Sequence, residues 1–289
     1  MNHILFFGLG FSAKALAARL AQRGWAISAT SRSEEGAAKI RAQGYTAHVF
    51  DGSAPLAPHA LDGVTHVVVS APPGPDGDPV LRQHAGDFAT RAGQFSWVAY
   101  LSTTGVYGDH AGALVTEDTP LTPNTDRGHK RLLAETQWLD LWRSHGLPVH
   151  LFRLAGIYGP GRNQLLSLLD GTAKRVVKEG QIFSRIHVED IANALEASMR
   201  KPNPGRAYNV CDDEACPPQD VVEWGANLLG LPVPPAIPFE QAELSPMARS
   251  FYADSKRVSN ARLKEELGFS LSFPTFREGL TEIARDLKR

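Results

Sequence analysis

Through its first half the chain alternates short apolar runs with stretches that are apolar at helical spacing. Residues 4–7 form an apolar run of strand length, and 11–23 carry apolar side chains at Leu16, Leu20 and Ala21, one face of a helix. The same alternation predicts strands at 25–31, 46–50, 65–70, 97–101 and 149–154, and helices at 34–43, 80–92 and 128–144. The run at 65–70, Thr-His-Val-Val-Val-Ser, is unbroken, as in a strand buried on both faces. Repeated strand–helix units predict an α/β fold with a doubly wound parallel sheet, right-handed crossovers and ligands beyond the carboxyl ends of the strands. Past Gly156 the pattern changes. Helices are expected at 221–229, 255–267 and 276–287, prolines cluster, and the weakly patterned 236–251, with Pro238 and Pro246, reads as a loop or lid.

The first predicted strand runs straight into Gly8-Leu9-Gly10-Phe11-Ser12-Ala13 and the first helix. Gly8 permits a tight turn, Gly10 lets backbone amides approach a ligand closely, and the small Ala13 lets helix and strand pack together. The helix start, with Phe11 and Ser12 in its first turn, turns its N–H groups and the positive end of its dipole towards an anion. In this setting the pattern is a dinucleotide-binding turn of a Rossmann sheet. A turn that prefers NAD carries an acidic residue about 20 residues beyond the glycines, at the ribose 2′-OH. Here the second strand ends in Thr30-Ser31-Arg32-Ser33, without a carboxylate. Arg32 suits charge-assisted bonds to a 2′-phosphate, and Ser31 sits beside it, so NADP is expected in preference to NAD. Glu34 and Glu35 read as first-turn residues of the next helix, favoured there by its dipole.

Composition narrows the partners. The 289 residues suit one large α/β domain with a smaller lobe. With 30 basic and 31 acidic residues there is no positive excess to neutralise phosphates, so nucleic acid is not an expected partner. No apolar run approaches the ~20 residues that span a bilayer, and the run at the start is broken by Gly8. A soluble cytoplasmic protein with no membrane partner is the expectation. Cys211 and Cys216 lack His or Cys partners at ligand spacing and read as reduced thiols, with no metal site.

Several motifs then fall in a familiar order. Ser102-Thr103-Thr104-Gly105-Val106-Tyr107-Gly108 resembles the strand-five motif of the extended short-chain dehydrogenase/reductase family, the NAD(P)-dependent epimerases and dehydratases. Arg153-Leu154-Ala155-Gly156-Ile157-Tyr158-Gly159-Pro160-Gly161 looks like its strand-six motif, and Ile186-His187-Val188-Glu189-Asp190-Ile191-Ala192 resembles the segment before its return helix. Tyr208-Asn209-Val210 matches a later strand. The resemblance implies a Rossmann domain over 1–160, to which 186–212 returns, and a smaller C-terminal substrate lobe made of 161–185 and 213–289. It implies Asp51 at the adenine, Ser70-Ala71-Pro72 along the ribose, and Tyr158, Arg162, Asn163 and His187 towards a small polar substrate, with nucleotide-sugars as one class. It also implies a monomer or a homodimer, the latter formed through the helix that carries Leu132, Leu133, Trp138 and Leu141.

One element departs from the family. Its catalytic Tyr-x-x-x-Lys maps onto Asp126 and Lys130, so the tyrosine is missing while the lysine stays, as in the atypical branch. Thr103 takes the Ser/Thr position that shares the proton. With a reference pKa of ~3.9, Asp126 accepts but does not donate a proton at neutral pH unless burial raises that value. A general acid/base contributes roughly 10²–10⁴-fold, so its role falls to another group, for which Tyr107 on the same loop is the first candidate. Equally, Asp126 can be a helix-start acid paired with Lys130 one turn on. Two functions therefore stay open: an NADP-dependent oxidoreductase, epimerase or dehydratase, and a catalytically impaired NADP(H)-binding sensor.

Overall fold

The structure is a computed structural model that describes residues 2–287. In chain order the first elements are β1 (His3–Phe7), α1 (Phe11–Gln22), β2 (Ala26–Ser31), α2 (Glu34–Arg41), β3 (Thr46–Val49), β4 (His66–Val69), α3 (Pro79–Thr90) and β5 (Trp97–Thr103). There follow β6 (Leu114–Val115), α4 (Asp126–His145), β7 (Val149–Leu154), β8 (Gly156–Tyr158), α5 (Gln164–Leu169), β9 (Arg175–Val177), β10 (Arg185–His187) and α6 (Val188–Arg200). The chain ends in β11 (Ala207–Val210), α7 (Pro218–Leu229), β12 (Ala236–Pro238), α8 (Pro246–Ser250), β13 (Arg257–Val258), α9 (Ala261–Leu267) and α10 (Phe276–Leu287).

Seven strands form one sheet in the order β11-β7-β5-β4-β1-β2-β3. β1 pairs in parallel with both β2 and β4, β2 with β3, and β4 with β5. The order reverses between β1 and β4, which places the crevice of a doubly wound sheet at the carboxyl ends of those two strands. The apolar runs explain the centre: β4 and β7 are buried along their whole length, and β1 from Ile4 onward. Helix starts follow local chemistry. Ser33 Oγ caps α2 by accepting from the Gly36 N–H, and Asp78 caps α3 through Val80 and Leu81, with Pro79 in the first turn. Among the described residues no helix is long and apolar enough to cross a membrane.

The chain forms two compact units. The first takes residues 1–103, 129–153 and 192–208, and its core gathers Phe7, Phe88, Tyr100, Trp138 and Leu151. The second takes 104–128, 154–191 and 209–289, with Leu165, Val222, Phe276 and Ile283 in its core. The second unit contains the segments 161–185 and 213–289 and also takes in 104–128, 154–160, 186–191 and 209–212, which the resemblance assigns to the Rossmann domain.

The helix expected at 255–267 starts only at Ala261. The residues before it are committed elsewhere. Ser255 N–H donates to Asp109 and its hydroxyl to the Gly180 carbonyl, while Lys256 Nζ donates to the Gly108 carbonyl. Arg257 and Val258 pair in parallel with β6. Tertiary bonds thus override a helical pattern. The weakly patterned 236–251 folds as β12, a short turn and α8, and the segment is tethered by basic residues: Lys174 Nζ donates to the Glu243 carbonyl and Lys178 Nζ to that of Tyr252. That is the use the structure makes of this basic cluster, whose Arg175 pairs with Glu223.

Candidate active site

After β1 the chain turns at Gly8, whose φ of +87° lies in the left-handed region open to glycine. The Gly8 N–H donates to Thr30 Oγ1 at 2.9 Å and its carbonyl accepts from Ser70 Oγ at 2.8 Å. The turn is thereby tied to the ends of β2 and β4. A Cβ on Gly8 would stand 3.0 Å from Ser70 Oγ, whereas one on Gly10 would meet nothing within 4 Å. The space over Gly10 is open. No side chain caps α1 and its first turn holds no acidic residue, so its positive end is not neutralised. This arrangement fits a dinucleotide pyrophosphate. Phe11 is half-buried at the head of α1, and Ser12 and Ala13 are buried against the sheet.

At the end of β2, Ser31 is half-buried against α2: a Cβ on Gly36 would stand 1.9 Å from its Oγ. Arg32 is exposed and has no hydrogen bond or ion pair with a described residue. Asp51 is also exposed, and its carboxylate accepts from both the N–H and the hydroxyl of Ser53, which holds its pKa below the ordinary value. Past β4, the Ser70 hydroxyl is spent on Gly8, Ala71 is half-buried and Pro72 is exposed.

Thr103 is the last residue of β5 and Lys130 lies in the second turn of α4; both are half-buried and belong to the first unit. Around them sits a buried polar network. Glu135, only 1% exposed, accepts from Arg153 Nη2 at 2.8 Å and from Nε at 3.2 Å, and its other oxygen accepts from Ser102 Oγ at 2.5 Å. Arg131 adds a second tie, donating to the Tyr100 hydroxyl and to the Leu101 carbonyl.

The remaining expected site residues belong to the second unit. Asp126 is exposed in the first turn of α4. Tyr107, the expected stand-in for the missing tyrosine, is fully buried and its hydroxyl donates to Asn209 Oδ1 at 2.7 Å. The hydroxyl expected to stand in for the missing tyrosine is thus engaged in a buried bond. Asn163, expected towards substrate, caps α5, accepting from Leu165 and Leu166 and donating to the Gly159 carbonyl. Arg162 is exposed. His187 is 3% exposed between the rings of Tyr158 and Phe273, and burial lowers its pKa, so it is neutral near pH 7.

Tyr158 itself is 8% exposed, with its hydroxyl pushed to higher pKa by burial first and by Asp212 next. Its ring explains a glycine inside a helix: a Cβ on Gly279 in α10 would stand 2.2 Å from the Tyr158 hydroxyl oxygen. In an exposed helix Gly→Ala gains up to about 1 kcal/mol. Gly279→Ala is expected to reverse that sign and cost about 1–3 kcal/mol by overpacking, read from the urea midpoint. A variant as stable as the parent would show that Tyr158 gives way freely.

Comparison with known proteins agrees with the geometry. The sequence profile of the NAD dependent epimerase/dehydratase family matches residues 87–211. The matched segment runs from the end of α3 to just past β11 and includes Thr103, Asp126 and Lys130. A conserved protein of unknown function from Silicibacter pomeroyi is 52% identical, with each chain 99% covered and a TM-score of 0.92. Protein YeeZ of Escherichia coli K12 is 29% identical over 290 residues, covering 95% of this chain and 97% of its own. The dTDP-glucose 4,6-dehydratase of Bacillus anthracis, solved with NAD, shares the fold at 19% identity, covering 100% of this chain and 97% of its own, with a TM-score of 0.79.

Sequence reasoning assigned no role to Thr30, Glu135 or Arg153. Thr30 lies 22 residues from Gly8, and Glu135 lies 18 from Arg153. Only the sheet brings these partners together. A signal for Asn163 was present: Asn directly before Gln-Leu-Leu is a helix-cap signature.

Proposed function

We propose that this chain is an NADP-dependent oxidoreductase of the epimerase/dehydratase type, acting on a small polar substrate of which nucleotide-sugars are the leading class. The observation that carries the cofactor reading is Arg32. Its guanidinium is exposed without a described partner, at the end of β2 where a carboxylate would serve NAD, in the same unit as the open turn at Gly10. When bound, the cofactor supplies or accepts a hydride. The residues of this chain bind it through the α1 start and Arg32, and Lys130 and Thr103 serve its ribose and the proton. The shared fold with the dTDP-glucose dehydratase supports the substrate class.

A second reading has its own observation. Asp126 stands where the family has tyrosine, and the hydroxyl of Tyr107 is engaged in a buried bond. On that ground the alternative is a sensor that binds NADP(H) without turnover.

Calorimetric titration with NADPH and with NADH tests the cofactor. NADPH is expected to bind more tightly, and Arg32→Ala to weaken it by about 1.5–3 kcal/mol, roughly ten- to hundredfold, while leaving NADH unchanged. Equal loss for both dinucleotides would place Arg32 away from the 2′-phosphate. Oxidation of NADPH by a panel of carbonyl compounds, lost on Lys130→Ala, separates the enzyme from the sensor.

A further inference from the structure

Lys130 and Thr103 sit on different elements, α4 and β5, yet on the dinucleotide reading both face one bound cofactor, the lysine at its ribose and the threonine at the proton. Apolar packing is non-directional and leaves a helix some freedom to slide and roll on a sheet. Directional bonds remove that freedom. The ties between α4 and the sheet cluster next to these two residues. Arg131, one position after Lys130, donates to the Leu101 carbonyl at 2.8 Å, and Ser102, directly before Thr103, donates to Glu135 at 2.5 Å. Arg153 on β7 closes the set through two nitrogens on the Glu135 carboxylate. Both members of this ion pair are buried, with side chains 6% and 2% exposed. A buried ion pair loses much of its attraction to desolvation, and an apolar pair of similar volume is often as stable. Stability alone therefore does not account for a charged network at this place.

We propose that Glu135, held by Ser102 and Arg153, is the positioning residue that fixes Lys130 and Thr103 for the dinucleotide. It acts through those two residues and does not itself touch the cofactor. The proposal rests on the dinucleotide reading above. Two parallel guanidinium bonds and one hydroxyl bond on a single carboxylate lock three elements, β5, α4 and β7, in one register. Lys130 stands five positions from the lock and Thr103 one position from its hydroxyl arm.

The test is a double replacement, Glu135→Met with Arg153→Met, which removes the network without leaving a lone buried charge. Thermal midpoint and NADPH dissociation constant are measured for the parent, the double variant, Lys130→Ala and the triple variant. The double variant is expected to keep its midpoint within a few degrees and to bind NADPH about tenfold more weakly. Lys130→Ala is expected to weaken the parent about tenfold but the double variant less than about twofold, because the lysine is no longer placed to be lost. A purely structural network would leave that coupling at zero. An affinity unchanged in the double variant, or equal losses from Lys130→Ala in both backgrounds, overturns the proposal. Where the double variant fails to fold, Ser102→Ala carries the test: it leaves the ion pair whole and is expected to weaken NADPH about threefold with the same partial loss of coupling to Lys130. No change in that variant overturns the proposal equally. A parent that binds neither NADPH nor NADH overturns the dinucleotide reading itself, a different result from a parent that binds and a variant that binds as well.

Discussion

Replacing Arg153 by methionine alone is expected to lower the unfolding free energy by about 3–5 kcal/mol, while replacing Glu135 and Arg153 together costs far less. The reason is the asymmetry of buried charge. With Arg153 gone, the Glu135 carboxylate stays 1% exposed in the parent geometry, supported by the Ser102 hydroxyl instead of a guanidinium. A charge taken out of water without its counter-charge carries the whole desolvation cost. In the double variant both charges leave together, and two methionines fill the space with adaptable apolar side chains. Urea unfolding of the parent, both single variants and the double variant reads the effect directly. Each single variant should show a lower midpoint with the double variant above both. If the double variant loses the sum of the single losses, the pair is not coupled and the network is not a unit.

The same network marks the border of what the sequence discloses. The sheet was legible because its central strands are unbroken apolar runs: β4 and β7 are buried throughout, and such runs have few alternatives. The turn at Gly8 and Gly10 was legible because its glycines fall between an apolar strand and a helix; Gly8 needs its positive φ, while the space over Gly10 is open. The inner chemistry was not. Nothing local separates the buried Tyr107, bonded to Asn209 102 positions away, from a tyrosine that faces a cleft. Both are aromatic bodies with a polar tip, and only the partner decides. Likewise 255–260 reads as helix until the distant acceptors at Gly180, Gly108 and Asp109 are in place. Local pattern fixes which segments are strands and helices. Which polar side chains become bolts and which face a ligand depends on partners far along the chain.

Asp212 carries the second large effect, and its sign depends on pH. It lies two residues beyond β11, 3% exposed, accepting from the Glu214 N–H through one oxygen while the other, Oδ2, is buried without a hydrogen-bond partner. Burial pushes its pKa up to about 8; Arg185 opposes the shift, and Glu214 and Asp213 add to it. In the unfolded chain the same carboxyl titrates near its ordinary value of about 3.9. Between those two values the folded state holds a proton that the unfolded state has lost, so stability contributed by this group is fully present below about pH 4 and is lost as the pH rises towards 8. Asp212→Asn keeps the shape, retains an oxygen for the Glu214 N–H and cannot ionise. The variant is therefore expected to match the parent near pH 4 and to exceed it progressively above, by at most about 5 kcal/mol at pH 8. Groups common to both proteins cancel in the difference, so urea unfolding of the pair at pH 5, 6, 7 and 8 isolates Asp212. A gap that widens with pH confirms a neutral, buried carboxyl at the end of β11. Parallel curves would mean that Asp212 is ionised in the folded protein, with its charge met by Arg185, and the second unit would then hold a buried ion pair where a protonated acid is expected.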